Sequence, residues 1–355
     1  MNGTLPTYVR RRIGLQILAM LAVLTALMQL LEMLDVTTDV FERGLGFAGL
    51  LHYAVLRAPG ELVLSLPLAV LLGTMTALHS MARSLEITAI RTAGVSIGRL
   101  LGYLWPVVLM LVAAQLVLAQ GVLPQAENAL KAWWSASTPA DKAPVRLWAR
   151  TRSGPVSIDA ISPDGNELRG VRAYQRDDGG RIESRLAAAT ARWDGRSWRL
   201  QDVSELRIED GRIGLRHDAA REWVTNLRPD EVLRLDVARP HLSSMMLADV
   251  IAGARVGTQP LSYYRTVLYR SFTAPLGLPI MLLIALPTAC SVSRSRPGGR
   301  EMGIALVLGL AFLLLDGLVA AFGSSGRLPP LAAALAAPLL FLAIGVIRLR
   351  ACERA

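Results

Sequence analysis

Six stretches of the chain are apolar for about 20 residues each, and a region of different character separates the third from the fourth. An α-helix crosses the roughly 30 Å hydrocarbon core of a bilayer in about 20 residues. The pattern therefore predicts six transmembrane helices. Their approximate bounds are 13–33, 61–82, 100–122, 270–290, 302–322 and 329–348.

The region between the third and fourth apolar runs alternates polar and apolar residues and contains turn sequences at short intervals. Such spacing is typical of short antiparallel strands in a sandwich or jelly roll. The turn sequences include Pro163-Asp164-Gly165-Asn166 and Asp194-Gly195-Arg196. The predicted fold class is an α-helical membrane protein with six transmembrane helices plus an inserted β-jellyroll domain.

Three segments follow from this pattern. Residues 1–122 hold helices one to three, with a short cytosolic helix at 83–93. Residues 123–265 form the β-jellyroll-like domain with flanking helices, and residues 266–355 hold helices four to six.

Charge is distributed in two ways along the chain. Only 19% of the 355 residues are charged and the formal net charge is +10, whereas soluble domains carry about 25% charged residues. Residues 122–262 contain 21 of the 38 basic and 19 of the 28 acidic residues and are nearly neutral. The positive excess therefore flanks the apolar runs, which indicates membrane topology and not a nucleic-acid partner.

Arginine placement predicts the orientation, because short cytosolic loops are enriched in Lys and Arg. The other short loops contain only Arg43, Arg57 and Arg327. This asymmetry predicts that both termini are cytosolic and that the β domain is periplasmic. The arginines on the predicted cytosolic side are Arg10, Arg11, Arg12, Arg83, Arg91, Arg99, Arg294, Arg296, Arg300, Arg348, Arg350 and Arg354.

Catalytic signatures are scarce. The run 94–98 matches a nucleophile-elbow pattern, but it lies in a predicted loop before a helix and not between a strand and a helix. The four histidines have no metal-ligand spacing, and no phosphate-binding Gly-rich loop with a following Lys occurs. We therefore expect no catalytic residue, no metal site and no nucleotide site, and any ATP hydrolysis must come from another chain.

The segment 83–94 has the features of a short amphipathic helix. Ser84 suits an N-cap, Glu86 suits the positive N-terminal end of a helix, and Gly94 suits the position after its C-terminus. Leu85, Ile87, Ala89 and Ile90 make it partly apolar. The sequence leaves two interpretations open: a solvated loop helix, or a helix that docks a cytosolic partner.

Two features interrupt the predicted spans. Pro67 lies in the second span, where proline removes a backbone hydrogen bond and permits a kink. Asp316 lies in the fifth span, about two turns from its predicted outer end. A carboxylate there should face protein or a wet cavity, or lie near enough to the interface to be hydrated.

Several motifs resemble the LptF/LptG family, the permease subunits of the lipopolysaccharide-export ABC transporter, and the resemblance covers essentially the whole chain. They lie at Pro59 and Leu66-Pro67, and within 84–94, 191–200 and 325–333. Leu34-Asp35 at the end of the first span, and its distance to Pro59, fit LptG-type members better than LptF-type members.

The resemblance implies a fold, a substrate and partners. Lipopolysaccharide would enter a cavity between the first and fifth spans and leave through the periplasmic β-jellyroll. The partners would be LptF in a heterodimer, a cytosolic LptB ATPase dimer that uses ATP and Mg²⁺, LptC, and periplasmic LptA. This chain would bind no cofactor of its own.

The resemblance also implies site residues. One departure concerns lipid phosphates: LptG-type members can carry a Lys just after the first span, whereas residues 36–42 here contain no Lys or Arg. The ATPase-coupling helix would use Ser84, Leu85, Glu86, Ile87, Ile90, Arg91 and Gly94. The lipid cavity or gate candidates are Leu31, Leu34, Asp35, Arg43, Arg57, Pro67 and Asp316. The β-domain slot candidates are Leu186, Leu200 and Leu206.

Two other functions compete with transport. A membrane scaffold could use the outer β domain only to bind envelope partners, but it would not need an ATPase-coupling helix. A membrane-embedded lipid enzyme would need His, Ser or Asp residues clustered at one depth, and the sequence offers no such cluster.

Overall fold

The computed structural model describes residues 4–137, 147–151, 154–162, 164–176, 182–209, 212–225, 227–232, 244–253, 259–290 and 299–354. The chain divides into two compact units. One unit is helical and combines Met1–Thr138 with Thr266–Ala355, and the other is Pro139–Arg265. The helices, in chain order, are α1 (Thr4–Glu42), α2 (Gly46–Arg83), α3 (Glu86–Thr92), α4 (Ile97–Val117), α5 (Leu123–Ala136), α6 (Pro229–Val232), α7 (Ser244–Ile251), α8 (Leu261–Thr273), α9 (Gly277–Ala285), α10 (Gly299–Ser324) and α11 (Pro330–Arg354).

All six predicted spans are present among the described residues as helices long and apolar enough to cross a membrane. All six are longer than predicted, because helical turns beyond each apolar run continue the helix. The spanning helices run over Leu5–Glu42, Gly46–Arg83, Gly98–Trp134, Leu261–Ala289, Gly299–Ser324 and Pro330–Glu353.

The third and fourth spans contain local breaks in helical geometry. A π-helical turn, Leu118–Val122, joins α4 to α5 without interruption. The fourth span contains 3-10 turns at Ala274–Leu276 and Leu286–Cys290, which include Pro275 and Pro287. Proline cannot donate the backbone hydrogen bond that a regular helix requires, which explains why the breaks fall there.

Helix α2 lies at the centre of the helical unit. It packs against α1, α5, α9 and α10 and continues into α3. The first and fifth spans are the least covered, with 6% and 17% of their apolar windows buried, against 72% for the fourth. This chain by itself therefore leaves wide apolar faces of α1 and α10 uncovered.

The second unit contains one antiparallel sheet. Its strands are β1 (Leu147–Thr151), β2 (Gly154–Ile158), β3 (Ala160–Ile161), β4 (Glu167–Arg176), β5 (Ile182–Trp193), β6 (Trp198–Glu209) and β7 (Arg212–Trp223). The order is β1-β2-β4-β5-β6-β7, with β3 beside β4. The inserted β domain is confirmed, and its described strands form a meander in which chain neighbours pair, without the crossed connections of a Greek key.

A crease runs across the sheet. The ladder pairs Ala188 with Val203 and Thr190 with Gln201, but skips the pair between them. Two residues in the skipped row, Gly170 on β4 and Asp202 on β6, have positive φ angles of 63° and 54°. Side chains normally alternate between faces along a strand, yet Leu200 and Val203, three residues apart, are both buried. The alternation therefore inverts across this row, while the strand pairing keeps the same register.

The core of this unit lies on one face of the sheet. Trp198, Leu200 and Val203 are fully buried there. The Trp198 indole Nε1 donates to the Leu227 carbonyl at 2.8 Å, so the polar atom of this buried ring is satisfied.

The first boundary of the compact unit differs from the one placed at residue 123 by sequence. The unit begins at Pro139, because α5 packs against α2 in the helical unit. The residues between the third span and the sheet therefore belong structurally with the helices.

Candidate functional site

Helix α3 begins at Glu86, and its N-terminus is built differently from the prediction. Ser84 is the C-cap of α2, and Leu85 at the junction has a left-handed backbone with φ of 62°. No side chain caps α3, so the N-cap role predicted for Ser84 is wrong. The Ser84 hydroxyl instead contacts the Ser80 and Met81 carbonyls of α2 at 3.1 and 3.2 Å.

The C-terminus of α3 agrees with the prediction. Gly94 has φ of 81° and its N–H donates to the Arg91 carbonyl at 2.9 Å. The Val95 N–H donates to the Ile90 carbonyl at 3.3 Å. This is a Schellman motif, in which glycine takes the left-handed position without steric cost.

The two faces of α3 have different roles. Ile87 and Ile90 are 3% and 7% exposed and belong to the helical core. They cannot contact a partner directly, so their predicted place on a docking surface is corrected to that of anchors. The outward face presents Leu85, which is 63% exposed, together with Thr88, Ala89 and Arg91.

Glu86 is half-buried and held by two hydroxyl groups. Tyr8 in α1 donates to its Oε2 atom at 2.9 Å, and the Ser84 hydroxyl lies 2.8 Å from its Oε1 atom. A carboxylate accepts about four hydrogen bonds, so these contacts orient Glu86 and leave capacity for a basic group from outside.

Other contacts tie together the end of the helical unit that contains α3. The Gly98 N–H at the start of α4 donates to Glu353 Oε1 at 2.7 Å. Arg348 in α11 pairs with Glu301 in α10. An open depression of about 470 Å³ lies beside α3. Its lining residues are Thr76, His79, Ser80, Arg83, Ser84 and Met302.

At the opposite end, three of the predicted cavity residues line the uncovered side of α1. Leu31 and Leu34 are 51% and 68% exposed, and Asp35 is also exposed. Nothing in the described part of this chain covers them, so they are available to lipid or to a partner helix.

The two predicted cationic candidates are already engaged within the chain. Arg57 Nε lies 3.0 Å from Glu32 Oε1 and 3.8 Å from Glu61 Oε1. The Arg43 guanidinium lies 4.1 Å from the centre of the Trp134 ring and donates to the Trp134 carbonyl at 3.1 Å. Both arginines therefore stabilise contacts between helices, which differs from the open phosphate-binding role expected of a cavity cation.

The last two cavity or gate candidates are Pro67 and Asp316. Pro67 lies inside α2 and is half-buried. Asp316 in α10 accepts from Arg270 NH2 in α8 at 2.7 Å, and its own carbonyl accepts from Arg270 NH1 at 3.0 Å. Of the environments left open for Asp316 by the sequence, the structure shows a protein contact, and two bonds from one guanidinium satisfy it.

The predicted slot residues of the β unit separate into two groups. Leu186 and Leu200 are buried in its core. Leu206 is half-buried, and its cross-strand neighbour Leu215 is 75% exposed. Because the crease at Asp202 inverts the alternation, Leu206 lies on the face opposite Leu200, and the prediction that all three share one slot is wrong.

Sequence reasoning missed several residues that organise these sites. Tyr8, Glu32 and Arg270 each bridge two helices, and Glu61 supports Arg57 from within α2. The available signal was a charged residue inside or beside an apolar run, which demands a partner. Identifying the partner required the tertiary structure.

Six apolar spans and a β unit inserted between the third and the fourth define an α-helical integral membrane protein with one large extramembrane insertion. A model of the family described as lipopolysaccharide export system permease LptF/LptG matches residues 7–351. The chain belongs to this family.

Individual relatives agree with that assignment. The chain is 24% identical over 352 residues to the lipopolysaccharide export system permease protein LptG of Escherichia coli K12, covering 97% of each chain. It is 23% identical over 349 residues to the LptG protein of Haemophilus influenzae, covering 96% of this chain and 97% of that protein. Both relatives carry the LptG name, in line with the closer resemblance to LptG-type members.

Proposed function

We propose that this chain is a permease subunit of the ABC transporter that extracts lipopolysaccharide from the inner membrane and passes it toward the outer membrane. The observation that carries the proposal is the family match over residues 7–351. The six spans and the inserted β unit supply the architecture that such a permease needs.

The arginine asymmetry orients the chain in the inner membrane. It makes the α3 end of the helical unit cytosolic, with both termini on that side, and makes the β unit periplasmic. Thiol labelling tests this orientation. Ser325→Cys, an exposed position between α10 and α11, should react from the periplasm, and Thr88→Cys on α3 should react only after the membrane is permeabilised.

The outward face of α3 is proposed to dock on a cytosolic LptB ATPase dimer, which would bind ATP and Mg²⁺. A left-handed backbone costs a residue with a Cβ atom roughly 1–2 kcal/mol, yet an exposed leucine stands at this position, Leu85. An apolar partner surface would give that side chain a role. Glu86, oriented by Tyr8 and Ser84, would receive an arginine of the ATPase. This subunit would itself hydrolyse no ATP.

The uncovered faces of α1 and α10 are proposed to meet an LptF subunit and to enclose the lipid cavity with it. Leu31, Leu34 and Asp35 would line that cavity at the outer end of α1. Lipopolysaccharide would then pass along the β unit to LptC and LptA. Photocrosslinkers at Leu186 and Leu200 test this route, because lipid can reach these buried positions only if the core opens.

The decisive experiment is lipid release from reconstituted vesicles. The complex with its ATPase should release lipopolysaccharide to an added periplasmic acceptor in an ATP-dependent manner. Binding of envelope partners without ATP-dependent release would instead support the membrane scaffold. The matched control is an ATPase variant that binds but does not hydrolyse ATP.

A further inference from the structure

The first two spans form one long antiparallel hairpin whose contacts keep register along its middle part. Ile17 lies against Gly73, Thr25 against Ser65, and Glu32 against Arg57. Each step of seven or eight residues along α1 is matched by a step of eight back along α2. These contacts span 15 residues of α1, which is about 23 Å of helix.

Of these three contacts, the one nearest α3 brings the backbones of α1 and α2 together. A Cβ atom at Gly73 would lie 2.5 Å from the Ile17 Cα and 2.8 Å from its backbone nitrogen. Backbone atoms cannot rotate away as a side chain can, so the hairpin closes here only because position 73 is glycine.

Directed polar contacts hold the outer half of the hairpin. The Thr25 and Ser65 hydroxyl oxygens are 2.9 Å apart, and the Ser65 hydroxyl reaches the Glu61 carbonyl at 2.8 Å. Glu32 pairs with Arg57 at 3.0 Å and accepts from the Tyr53 hydroxyl at 2.9 Å. The Ser65–Glu61 bond lies within α2, whereas the other contacts join α1 to α2. These interhelical contacts depend on distance and direction, so sliding α1 along α2 would break them together.

The α3 end of the hairpin is tied as well. Only Ser84 and Leu85 separate α2 from α3, and Tyr8 in α1 donates to Glu86 in α3. By contrast, α2 meets α9 through apolar side chains of the helical core. Apolar packing is non-directional, so this interface can shift without losing specific bonds.

We propose that α1, α2 and α3 move as one rigid lever during transport, and that Tyr8, Gly73, Ser65 and Arg57 are the positioning residues that keep it rigid. The inference rests on the proposed function. A displacement imposed on α3 then reaches Leu34 and Asp35 at the far end of α1 without sliding between α1 and α2. Motion occurs at the apolar interface between α2 and α9. Helix α4 stays attached to the lever, because Arg10 in α1 donates to the Tyr103 carbonyl at 2.7 Å.

Locking the hairpin tests this idea directly. Thr25→Cys with Ser65→Cys places two thiols where hydroxyl oxygens lie 2.9 Å apart, close to the roughly 2 Å of a disulfide bond. Oxidation joins the two sulfur atoms, and two electrons and two protons pass to the added copper–phenanthroline and oxygen. The full complex in vesicles is assayed for lipid released per ATP hydrolysed, before and after oxidation.

A rigid lever predicts that the locked hairpin releases lipid per ATP within twofold of the reduced form. A larger loss that a reductant reverses, and that neither single cysteine variant shows, would overturn the lever. Absence of ATP-dependent release in the reduced double variant and in the unaltered chain would instead count against the proposed function.

A second measurement keeps the idea testable if the double variant does not assemble. Spin labels at Leu15 on α1 and Leu64 on α2, which are 57% and 71% exposed, report sliding of one helix along the other. The distance between them should stay constant between the nucleotide-free and the vanadate-trapped complex. A change of more than half a helical turn, about 3 Å, would refute a rigid hairpin.

Discussion

The Tyr8 hydroxyl donates a hydrogen bond of 2.9 Å to the Oε2 atom of Glu86, 78 residues away. This bond joins the beginning of the first span to the first residue of α3. Glu86 therefore connects α3 with α1, and in the proposed function it also receives a basic group of the ATPase.

Substitutions at Tyr8 and Glu86 should separate the link between α3 and α1 from the proposed contact with the ATPase. Glu86→Ala removes both the outward acceptor and the link, so it should weaken ATPase association and lipid release. Tyr8→Phe removes only the link. A hydrogen bond contributes about 0.5–1.5 kcal/mol, so release per ATP should fall about 2–10-fold while association is kept. Co-purification and vesicle release measure both effects.

Tyr103→Phe on α4 is the matched control for loss of one phenol hydroxyl. Wild-type association and release in Glu86→Ala would refute a key role for this carboxylate. Equal loss of association in Tyr8→Phe and Glu86→Ala would show that the internal link alone explains the effect.

The two faces of α3 should respond differently to truncation. Ile90→Ala removes buried atoms and should cost on the order of 2–4 kcal/mol, seen as a lower melting temperature in detergent. Leu85→Ala truncates an exposed side chain, and surface changes usually stay within about 0.5 kcal/mol. It should therefore leave melting unchanged and weaken only ATPase binding. Normal ATPase binding by Leu85→Ala would remove this residue from the docking surface.

Removing one partner of the Arg270–Asp316 pair should destabilise the protein more than removing both partners. Asp316→Asn leaves the Arg270 guanidinium, whose side chain is only 26% exposed, without its carboxylate. The loss should be about 1–3 kcal/mol, below the 3–5 kcal/mol of fully buried pairs. The double variant Arg270→Met with Asp316→Leu should recover most of it. Thermal unfolding in detergent checks this, and additive losses in the double variant would contradict a direct pair.

Gly170 should resist substitution more than Gly214 of the same sheet. Its φ is 63° and a Cβ atom would lie 2.3 Å from the Asp159 carboxylate, which already pairs with Arg172 at 2.9 Å. Gly170→Ala should destabilise the β unit by about 1–3 kcal/mol. Gly214→Ala, which meets no atom closer than 4.0 Å, is the control. Limited proteolysis of the intact chain compares them, and equal cleavage rates would contradict the assigned strain.

The turn at Asp194 should weaken in acid. The N–H groups of Ser197 and Arg196 donate to Asp194 Oδ1 at 2.8 and 2.9 Å and hold the pKa of this carboxyl below its usual value. The turn's contribution to stability is therefore complete above the unfolded pKa of about 3.9 and is lost as pH falls through the lower folded pKa. Asp194→Asn should flatten this dependence, measured by proteolysis from pH 5 to 2.

Asp218→Asn, outside the turn, controls for a change in net charge in that experiment. An acid transition that is the same in Asp194→Asn and in the unaltered chain would show that the turn does not contribute.

Much of the candidate site could be predicted from local sequence, as the ends of α3 illustrate. Gly94 was correctly placed because its conformational freedom is a property of the residue itself. Ser84 was misplaced because a serine between two helices can serve either end, and only the backbone at Leu85 decides which. Likewise, simple alternation along β6 places Leu200 and Leu206 on one face, and only the crease at Asp202 separates them.

The sequence by itself determined the six spans, the inserted β unit and the family. These depend on the length and composition of apolar runs and on motif order, and a membrane span must satisfy its backbone within its own helix. Only the tertiary structure decided the partners: Tyr8 with Glu86, Arg57 with Glu32, Arg270 with Asp316, and Ile87 and Ile90 facing inward. A charged residue in or beside an apolar span requires a partner. Which residue becomes the partner depends on how helices far apart in the sequence pack together, and local sequence does not encode that packing.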